Sequence, residues 1–295
     1  MFDIEIYCDE SGRLGYINNP ENYSGEITLV AGFIIDSNNT SIISDFCNDL
    51  HKEFSPYLKH IKHHITDLPG DIQKKIRHDT LHFIKDNNII VVYAANYFQS
   101  LHIEYLNQKQ RIEDISSSLK SDGIGFSKNT SMFNHISQVT TFSDFYIKAM
   151  TASLLILKKP VSAIVKTDMI SEKYRIQYLD VMNHYHSLFS NGKLEGKHYD
   201  LKTGEKNNFG VSVKIQSNAP LHALIRASKG TVEIVDSHTS IISDVITNSL
   251  HHHLITYAKR SNNAPLHSTD AISEYILSNN ICHPEIGGVY STYHQ

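Results

Sequence analysis

The sequence lacks tryptophan and contains only three cysteines, Cys8, Cys47 and Cys282. They are odd in number and far apart, so they predict neither a disulfide framework nor a zinc ribbon, and each is interpreted as a small buried residue. No apolar run approaches the roughly 18 to 20 residues that a membrane-spanning helix needs. The chain also opens on a strand pattern instead of a basic and then apolar leader. We therefore expect a cytoplasmic protein.

The sequence also lacks a strong excess of either charge. Its 295 residues carry a formal net charge of −4 with neutral histidine, and 40% of them are hydrophobic. This composition fits one large globular domain, or a domain with a substantial insertion. The charge balance argues against a protein that binds polyanions over its whole surface, although a local basic groove is compatible with it. The 19 histidines are scattered, and most are expected at the surface.

Apolar runs and helical periodicities alternate along the chain. Strands are predicted at residues 4–8, 27–35, 89–96, 162–168 and 210–215, and helices at 41–54, 71–84, 101–119, 141–158, 171–188 and, for the most part, 232–257. This alternation predicts an α/β fold in which helices flank a sheet. Residues 1–260 are expected to form one domain with an insertion at about 98–140. Residues 261–295 are expected to form a tail packed on the same domain.

Acidic residues stand where these elements would hold them rigidly. Asp9 and Glu10 follow the first strand and precede Ser11-Gly12, Asp168 ends a later strand, and Asp236 stands near the start of the last long helix. A two-metal hydrolytic site needs carboxylates that converge from separate elements, since they must neutralise and hold two divalent cations. The same residues are also compatible with a plain turn after the first strand and with helix caps at the other two positions.

The face of the last helix separates its two aspartates. With Val235 as the centre of the buried stripe, Asp236 lies on the edge of the stripe, whereas Asp244 points away from it and is expected to be solvated. The β-branched run at 231–235 leaves a short strand open as an alternative. In that case Asp236 would cap the helix instead.

These features together resemble a known family. They are a strand ending in Asp9-Glu10-Ser11-Gly12, an apolar second strand, a His-containing segment before a helix, a strand ending in Asp168, and Asp236 opening an apolar helix. The family is the one catalogued as domain of unknown function 3800, which is similar to a branch of the ribonuclease H-like superfamily. The resemblance implies a ribonuclease H-like mixed sheet flanked by helices, with a helical insertion.

The resemblance also implies roles for individual residues. Asp9, Asp168 and Asp236 would be ligands of Mg²⁺ or Mn²⁺, and His64 would transfer a proton or contact the substrate. Glu10 would have a supporting role, because strand alternation turns it away from Asp9. The implied function is a metal-dependent nuclease whose substrate is RNA or DNA, and the resemblance hints at a defence or toxin-type effector. A protein partner or a homo-oligomer is compatible with this function.

The sequence departs from the family pattern at two places. The last family segment has a Gln followed by Ala-Asp-Leu, where this chain has Glu233 and then Val235-Asp236-Ser237, and an acid common before the histidine is Lys62 here. These departures leave two alternatives open. One is a catalytically inactive nucleic-acid or protein-binding module of the same fold, and the other is an enzyme acting on a small phosphorylated molecule.

Two further patterns are compatible with ordinary surface roles. Consecutive residues on a helix point in different directions, so the run His251-His252-His253 is not expected to share one metal ion. The lysines between residues 191 and 209 are interpreted as a solvated loop or hairpin, although the same loop could follow a phosphate backbone.

Overall fold

The structure is a computed structural model, and it describes residues 1–12, 25–58, 64–126, 136–168, 172–191, 193–212, 220–235, 239–261 and 264–282. Its strands are β1 (Phe2–Gly12), β2 (Ile27–Asp36), β3 (Ile90–Tyr97), β4 (Ile124–Phe126), β5 (Val161–Thr167), β6 (Lys193–Asp200), β7 (Lys206–Ser212) and β8 (Lys229–Ile234). Its α-helices are α1 (Thr40–Glu53), α2 (Gly70–Asp86), α3 (Phe98–Ser121), α4 (Ile136–Leu157), α5 (Glu172–Asn191), α6 (Pro220–Arg226), α7 (Ser240–Arg260) and α8 (Thr269–Ile272). Two short 3₁₀ turns lie at Ser37–Asn39 and Ile65–Asp67.

The main sheet has five strands in the order β3-β2-β1-β5-β8. Strand β1 pairs antiparallel with β2, and β2 pairs antiparallel with β3, whereas β1, β5 and β8 run parallel to one another. Parallel neighbours need crossover connections, which α4 and α5 provide. The predicted α/β architecture, a mixed sheet flanked by helices, is therefore confirmed.

Helices cover the sheet on both faces. The face that carries Tyr7, Ala31 and Tyr93 packs on residues of α1, α2 and α7, and we call it the α7 face. The opposite face carries Ile6 and Val30 and packs on α4 and α5, and we call it the α4 face. Strand β2 is buried along nearly its whole length, because both of its faces are covered, and this explains its continuous apolar run.

A second sheet combines two parts of the sequence that were interpreted separately. It has three strands in the order β4-β6-β7. Strand β4 follows α3 in the predicted insertion, whereas β6 and β7 form a hairpin in the lysine-rich stretch that was interpreted as a loop or hairpin. The amide of Leu201 donates to the carbonyl of Gly123 across this junction, at 2.7 Å. The predicted strand at 210–215 is the end of β7 as far as Ser212, and residues 213–215 lie outside the described residues.

The segment 264–282 lies along the outer edge of β3. Val91 donates to the carbonyl of Asn280 and accepts from the amide of Cys282, both at 2.9 Å. The hydroxyl of Tyr93 donates to the carbonyl of Leu266 at 2.8 Å. These bonds close the β3 edge of the sheet. None of the helices in the described ranges has the length and apolar character needed to cross a membrane.

The last predicted helix starts later than its sequence pattern indicated. Residues Lys229–Ile234 form β8, which pairs with β5, and the helix begins at Ser240. The predicted helical start at residue 232 is therefore wrong, and the alternative of a short strand at 231–235 is closer. The cause is the β-branched content of this stretch, which favours a strand beside β5. Asp236 lies outside the described residues.

Candidate functional site

The motif Asp9-Glu10-Ser11-Gly12 belongs to β1 itself. The strand continues through Gly12 instead of turning after Cys8, and Asp9 pairs with Ala31 of β2 while Glu10 pairs with Val30. Successive side chains of a strand point to opposite faces. Asp9 therefore lies on the α7 face and Glu10 on the α4 face, as strand alternation predicts.

Asp168 comes to lie beside Asp9. The parallel register pairs Tyr7 with Lys166 and Cys8 with Thr167, so the next step along both strands brings Asp168 alongside Asp9. Neighbouring strands are about 4.8 Å apart, and residues in register share a face. The two predicted ligands thus stand next to each other at the carboxyl ends of adjacent parallel strands.

Asp244 supplies a third carboxylate, and the expectation that it is solvated is wrong. Its side chain is only 14% exposed, and its Oδ2 accepts a 2.5 Å hydrogen bond from the amide of Ile65. One turn further along α7, Thr247 donates to the carbonyl oxygens of Asp9, at 3.4 Å, and of Ala31, at 3.1 Å. These contacts seat α7 against β1 and β2, with Asp244 beside Asp9.

The predicted face of the helix was wrong because its reference residue is not helical. Val235 follows β8, and its amide donates to the carbonyl of Thr167 at 2.9 Å. A stripe centred on Val235 therefore has no fixed phase relative to α7, which begins at Ser240. In the structure, Asp244 lies on the face of α7 that contacts the segment 64–67, because it accepts the hydrogen bond from the Ile65 amide.

The carboxyl groups perturb one another. Burial raises the pKa of Asp9 well above its usual value, and the charges of Asp244, Glu10 and Asp168 raise it further. Burial also raises the pKa of Asp244, whereas the Ile65 amide and His64 act in the opposite direction. A hydrogen bond joins the Asp9 and Asp244 carboxyl groups. This hydrogen bond requires one proton to be shared between the two carboxyl groups.

His64 lies at the rim of this cluster. Its Nδ1 is 3.9 Å from Oδ1 of Asp244, and its side chain is 62% exposed. The backbone amide of His64 donates to Asp67 at 3.2 Å, which fixes the short turn that follows. The predicted histidine is therefore close to the acids and open to solvent. Lys62 lies outside the described residues.

Glu10 is held on the other face of the sheet. The Tyr178 hydroxyl of α5 donates to its carboxylate, and Gln138 of α4 donates to the same hydroxyl at 3.1 Å. The ring of Tyr178 stacks on Phe142 with the centroids 3.6 Å apart. Burial raises the pKa of Glu10, as does the charge of Asp168, while Tyr178 and Gln138 lower it. Glu10 thus ties the end of β1 to both helices of the α4 face.

Gly12 allows the end of β1 to approach its neighbours. Its φ of +87° lies in the left-handed region, and a Cβ there would be 1.9 Å from the carbonyl oxygen of Ile27 and 2.7 Å from Nε2 of His251. His251 Nε2 lies 3.3 Å from the same Ile27 oxygen. The glycine of the motif is therefore required by both its backbone conformation and its surroundings.

We expect Gly12→Ala to destabilise the protein by about 3 kcal/mol or more. A left-handed conformation costs a residue with a Cβ roughly 1–2 kcal/mol, and the overlap with Ile27 adds the cost of displacing β2. Gly25→Ala is the matched control, because Gly25 also has a positive φ, +79°, but nothing lies within 4 Å of a Cβ there. Urea unfolding measures both variants. Equal losses of stability in the two would contradict the close contact at Gly12.

Two of the three consecutive histidines, His251 and His253, have different contacts. His251 approaches Ile27, whereas Nε2 of His253 is 2.9 Å from the carbonyl oxygen of Ala271. This divergence agrees with the helical geometry that argued against a shared ion. In the parts of the chain that the structure describes, no group of three or more His, Cys, Asp or Glu side chains has the arrangement needed to hold a metal ion.

Comparisons with protein-family models and with curated proteins give no match for this chain. The candidate site is therefore defined by its own geometry. Asp9, Asp168 and Asp244 come from β1, the end of β5 and α7, and they lie at one end of the sheet on the α7 face. Of the predicted residues, the structure brings together Asp9, Asp168 and His64, and it adds Asp244.

Proposed function

We propose that this protein is a metal-dependent nuclease with a ribonuclease H-like fold that hydrolyses phosphodiester bonds of RNA or DNA. The observation that carries the proposal is the cluster of Asp9, Asp168 and Asp244, which come from three separate elements. The strand order, with three antiparallel and then two parallel strands, and the resemblance of the Asp9-Glu10-Ser11-Gly12 segment support the fold.

The donor set fits a hard divalent cation in its chemistry, and a bound ion would have to draw the three carboxylates into a common arrangement that the described residues do not have here. Mg²⁺ and Mn²⁺ prefer carboxylate oxygens, and Asp9, Asp168 and Asp244 would hold the ion here. Burial and mutual repulsion raise the pKa values of Asp9 and Asp244, so the ionised cluster is unfavourable until a positive charge offsets it. A bound cation would compete with the proton that these two carboxyl groups share. A bound Mg²⁺ or Mn²⁺ would supply an activated water and stabilise the leaving oxygen.

The neighbouring residues orient these carboxylates. The Ile65 amide fixes one oxygen of Asp244, and the contacts of Thr247 fix α7 against the backbone of Asp9. His64 is exposed beside Asp244 and would contact a substrate phosphate or move a proton at the rim. Glu10 acts at a distance, because its bonds to α4 and α5 hold the end of β1 in place.

The proposal predicts Mn²⁺-dependent cleavage of at least one of three substrates, which are single-stranded RNA, single-stranded DNA and double-stranded DNA. Asp9→Asn is expected to reduce the rate by more than about 100-fold, since even residues that only support a metal ligand cost 10- to 100-fold. Asp49→Asn is the control, because Asp49 is exposed on α1 and forms an ion pair with Lys52 one turn along the same helix. A purified protein that cleaves none of them, or whose cleavage survives Asp9→Asn, would refute the nuclease.

A further inference from the structure

Strand β8 forms one outer edge of the main sheet. The bond from the Val235 amide to the carbonyl of Thr167 shows which backbone groups point toward β5. By alternation, those of Lys229, Thr231 and Glu233 point the same way. The amides and carbonyls of the intervening residues therefore point outward, and these residues are Gly230, Val232 and Ile234.

No described residue bonds to these outward groups. The opposite edge of the sheet is different, since residues 280–282 pair with β3 there. An uncovered strand edge presents a row of donors and acceptors that another strand can pair with. As far as the described residues show, the edge of β8 is the place where this sheet can be extended.

The side chains along β8 form a self-complementary pattern. Lys229, Thr231 and Glu233 are exposed on the α7 face, and the two charged residues lie at equal distances on either side of Thr231. Within the described residues, neither charged side chain has an ion-pair partner. Like charges on an edge strand prevent pairing with a second copy. Opposite charges placed symmetrically about one residue instead match an antiparallel copy of the same strand.

We propose that β8 pairs antiparallel with β8 of a second copy of this chain, about a twofold axis at Thr231. Gly230 then exchanges both backbone hydrogen bonds with Val232 of the partner subunit, because the backbone groups of both point outward. Lys229 faces Glu233 of the partner subunit in a non-hydrogen-bonded pair, where side chains are closest. The twofold axis repeats this ion pair, so the interface contains it twice.

The charge pattern selects this register over its neighbour. An axis at Val232 would place Lys229 opposite Val235 of the partner subunit, and the ion pairs would be lost. In the proposed register the axis is perpendicular to the sheet, so the α7 faces of both copies lie on the same side. The parallel strands of the two copies run in opposite directions, so the two acidic clusters would lie at opposite ends of the joined sheet.

Charge reversal tests the interface in solution. Sedimentation equilibrium of the full chain is expected to give twice the monomer mass of 33.5 kDa. Glu233→Lys and Lys229→Glu each create like-charged pairs and should weaken the dimer at least tenfold, whereas the double variant K229E/E233K should restore it. Glu205→Lys, at an exposed position in the turn between β6 and β7, is the control that should leave the dimer intact. A wild-type monomer, or a dimer that none of the β8 variants changes, would overturn the proposal.

Cross-linking tests the register. On the proposed axis, Thr231 lies opposite Thr231 of the partner subunit with Cα atoms about 4.5 Å apart, which a disulfide can bridge. Thr231→Cys in a Cys282→Ser background should therefore form a covalent dimer under mild oxidation, since Cys8 and Cys47 are buried. Glu233→Cys in the same background faces Lys229 of the partner subunit and should not. Cross-linking by Glu233→Cys alone would overturn the register.

Discussion

Asp244→Asn should abolish cleavage as completely as Asp9→Asn does. Both carboxyl groups belong to one hydrogen-bonded pair, and Asp168 lies beside them, so removing either charge takes one ligand from the same cation site. We expect the rate with Mn²⁺ to fall by more than about 100-fold. The fold should persist, because asparagine keeps the shape of the side chain and one oxygen for the Ile65 amide.

Asp236→Asn serves to distinguish the two candidates for the third metal ligand. The family resemblance assigned the third ligand to Asp236, whereas the structure brings Asp244 to Asp9. Initial rates at saturating Mn²⁺, with Asp49→Asn as the exposed control, measure both variants. Full activity of Asp244→Asn would contradict the structural assignment. Loss of activity in Asp236→Asn as well would add that residue to the site.

Asp9→Asn should make the metal-free protein more stable at neutral pH. Burial and neighbouring charges raise the pKa of Asp9, so ionising this group in the folded state is unfavourable by about 1.4 kcal/mol for each pKa unit of the rise. Asparagine removes the charge and retains an amide that can donate to Asp244. We therefore expect the variant to melt at a higher temperature than the wild type in the presence of EDTA.

The raised pKa of Asp9 should also make the folding stability depend on pH. An unfolded Asp titrates near 3.9, so between that pH and the raised pKa the folded state binds more protons than the unfolded state. The stability of the wild-type protein should fall as the pH rises through this interval, and Asp9→Asn should flatten the fall. Melting curves in EDTA between pH 4 and 8 measure both proteins. A variant that melts lower than the wild type at pH 7, or keeps the same slope, would contradict the account of the cluster.

The sequence could predict the part of the site that lies at the ends of strands. Asp9 and Asp168 each follow an apolar run, and parallel neighbours bring such positions together without further information. The separation of Asp9 from Glu10 also follows from alternation alone. The local sequence pattern was sufficient to assign these side chains to faces, because successive residues of a strand alternate between its two faces.

The phase of α7 could not be predicted in the same way. Each residue turns a helix by about 100°, so an error of a few residues in the start of a helix reassigns its faces completely. The predicted helix included β8, whose strand conformation depends on pairing with β5, 67 positions earlier in the chain. Asp244 was therefore misplaced by a long-range interaction and not by its own residue type.

The second sheet was predicted only at the end of β7, in the strand at 210–215, and the rest was missed for a related reason. Strand β4 has only three residues, Ile124–Phe126, and its partner β6 begins at Lys193. Such a short strand has no periodicity of its own, and the polar hairpin of β6 and β7 lacks the apolar alternation of a half-buried strand. Its pairing depends on contacts that no local window contains.

Calorimetric titration with Mn²⁺ at neutral pH shows whether Asp9, Asp168 and Asp244 bind a metal ion. We expect the wild-type protein to bind the ion and release protons, because the cation displaces the proton held between Asp9 and Asp244. The heat should then vary with the ionisation enthalpy of the buffer, and binding should be lost in Asp9→Asn, Asp168→Asn and Asp244→Asn. Absence of binding to the wild type, or binding that all three variants retain, would contradict the claim that these carboxylates form a metal site.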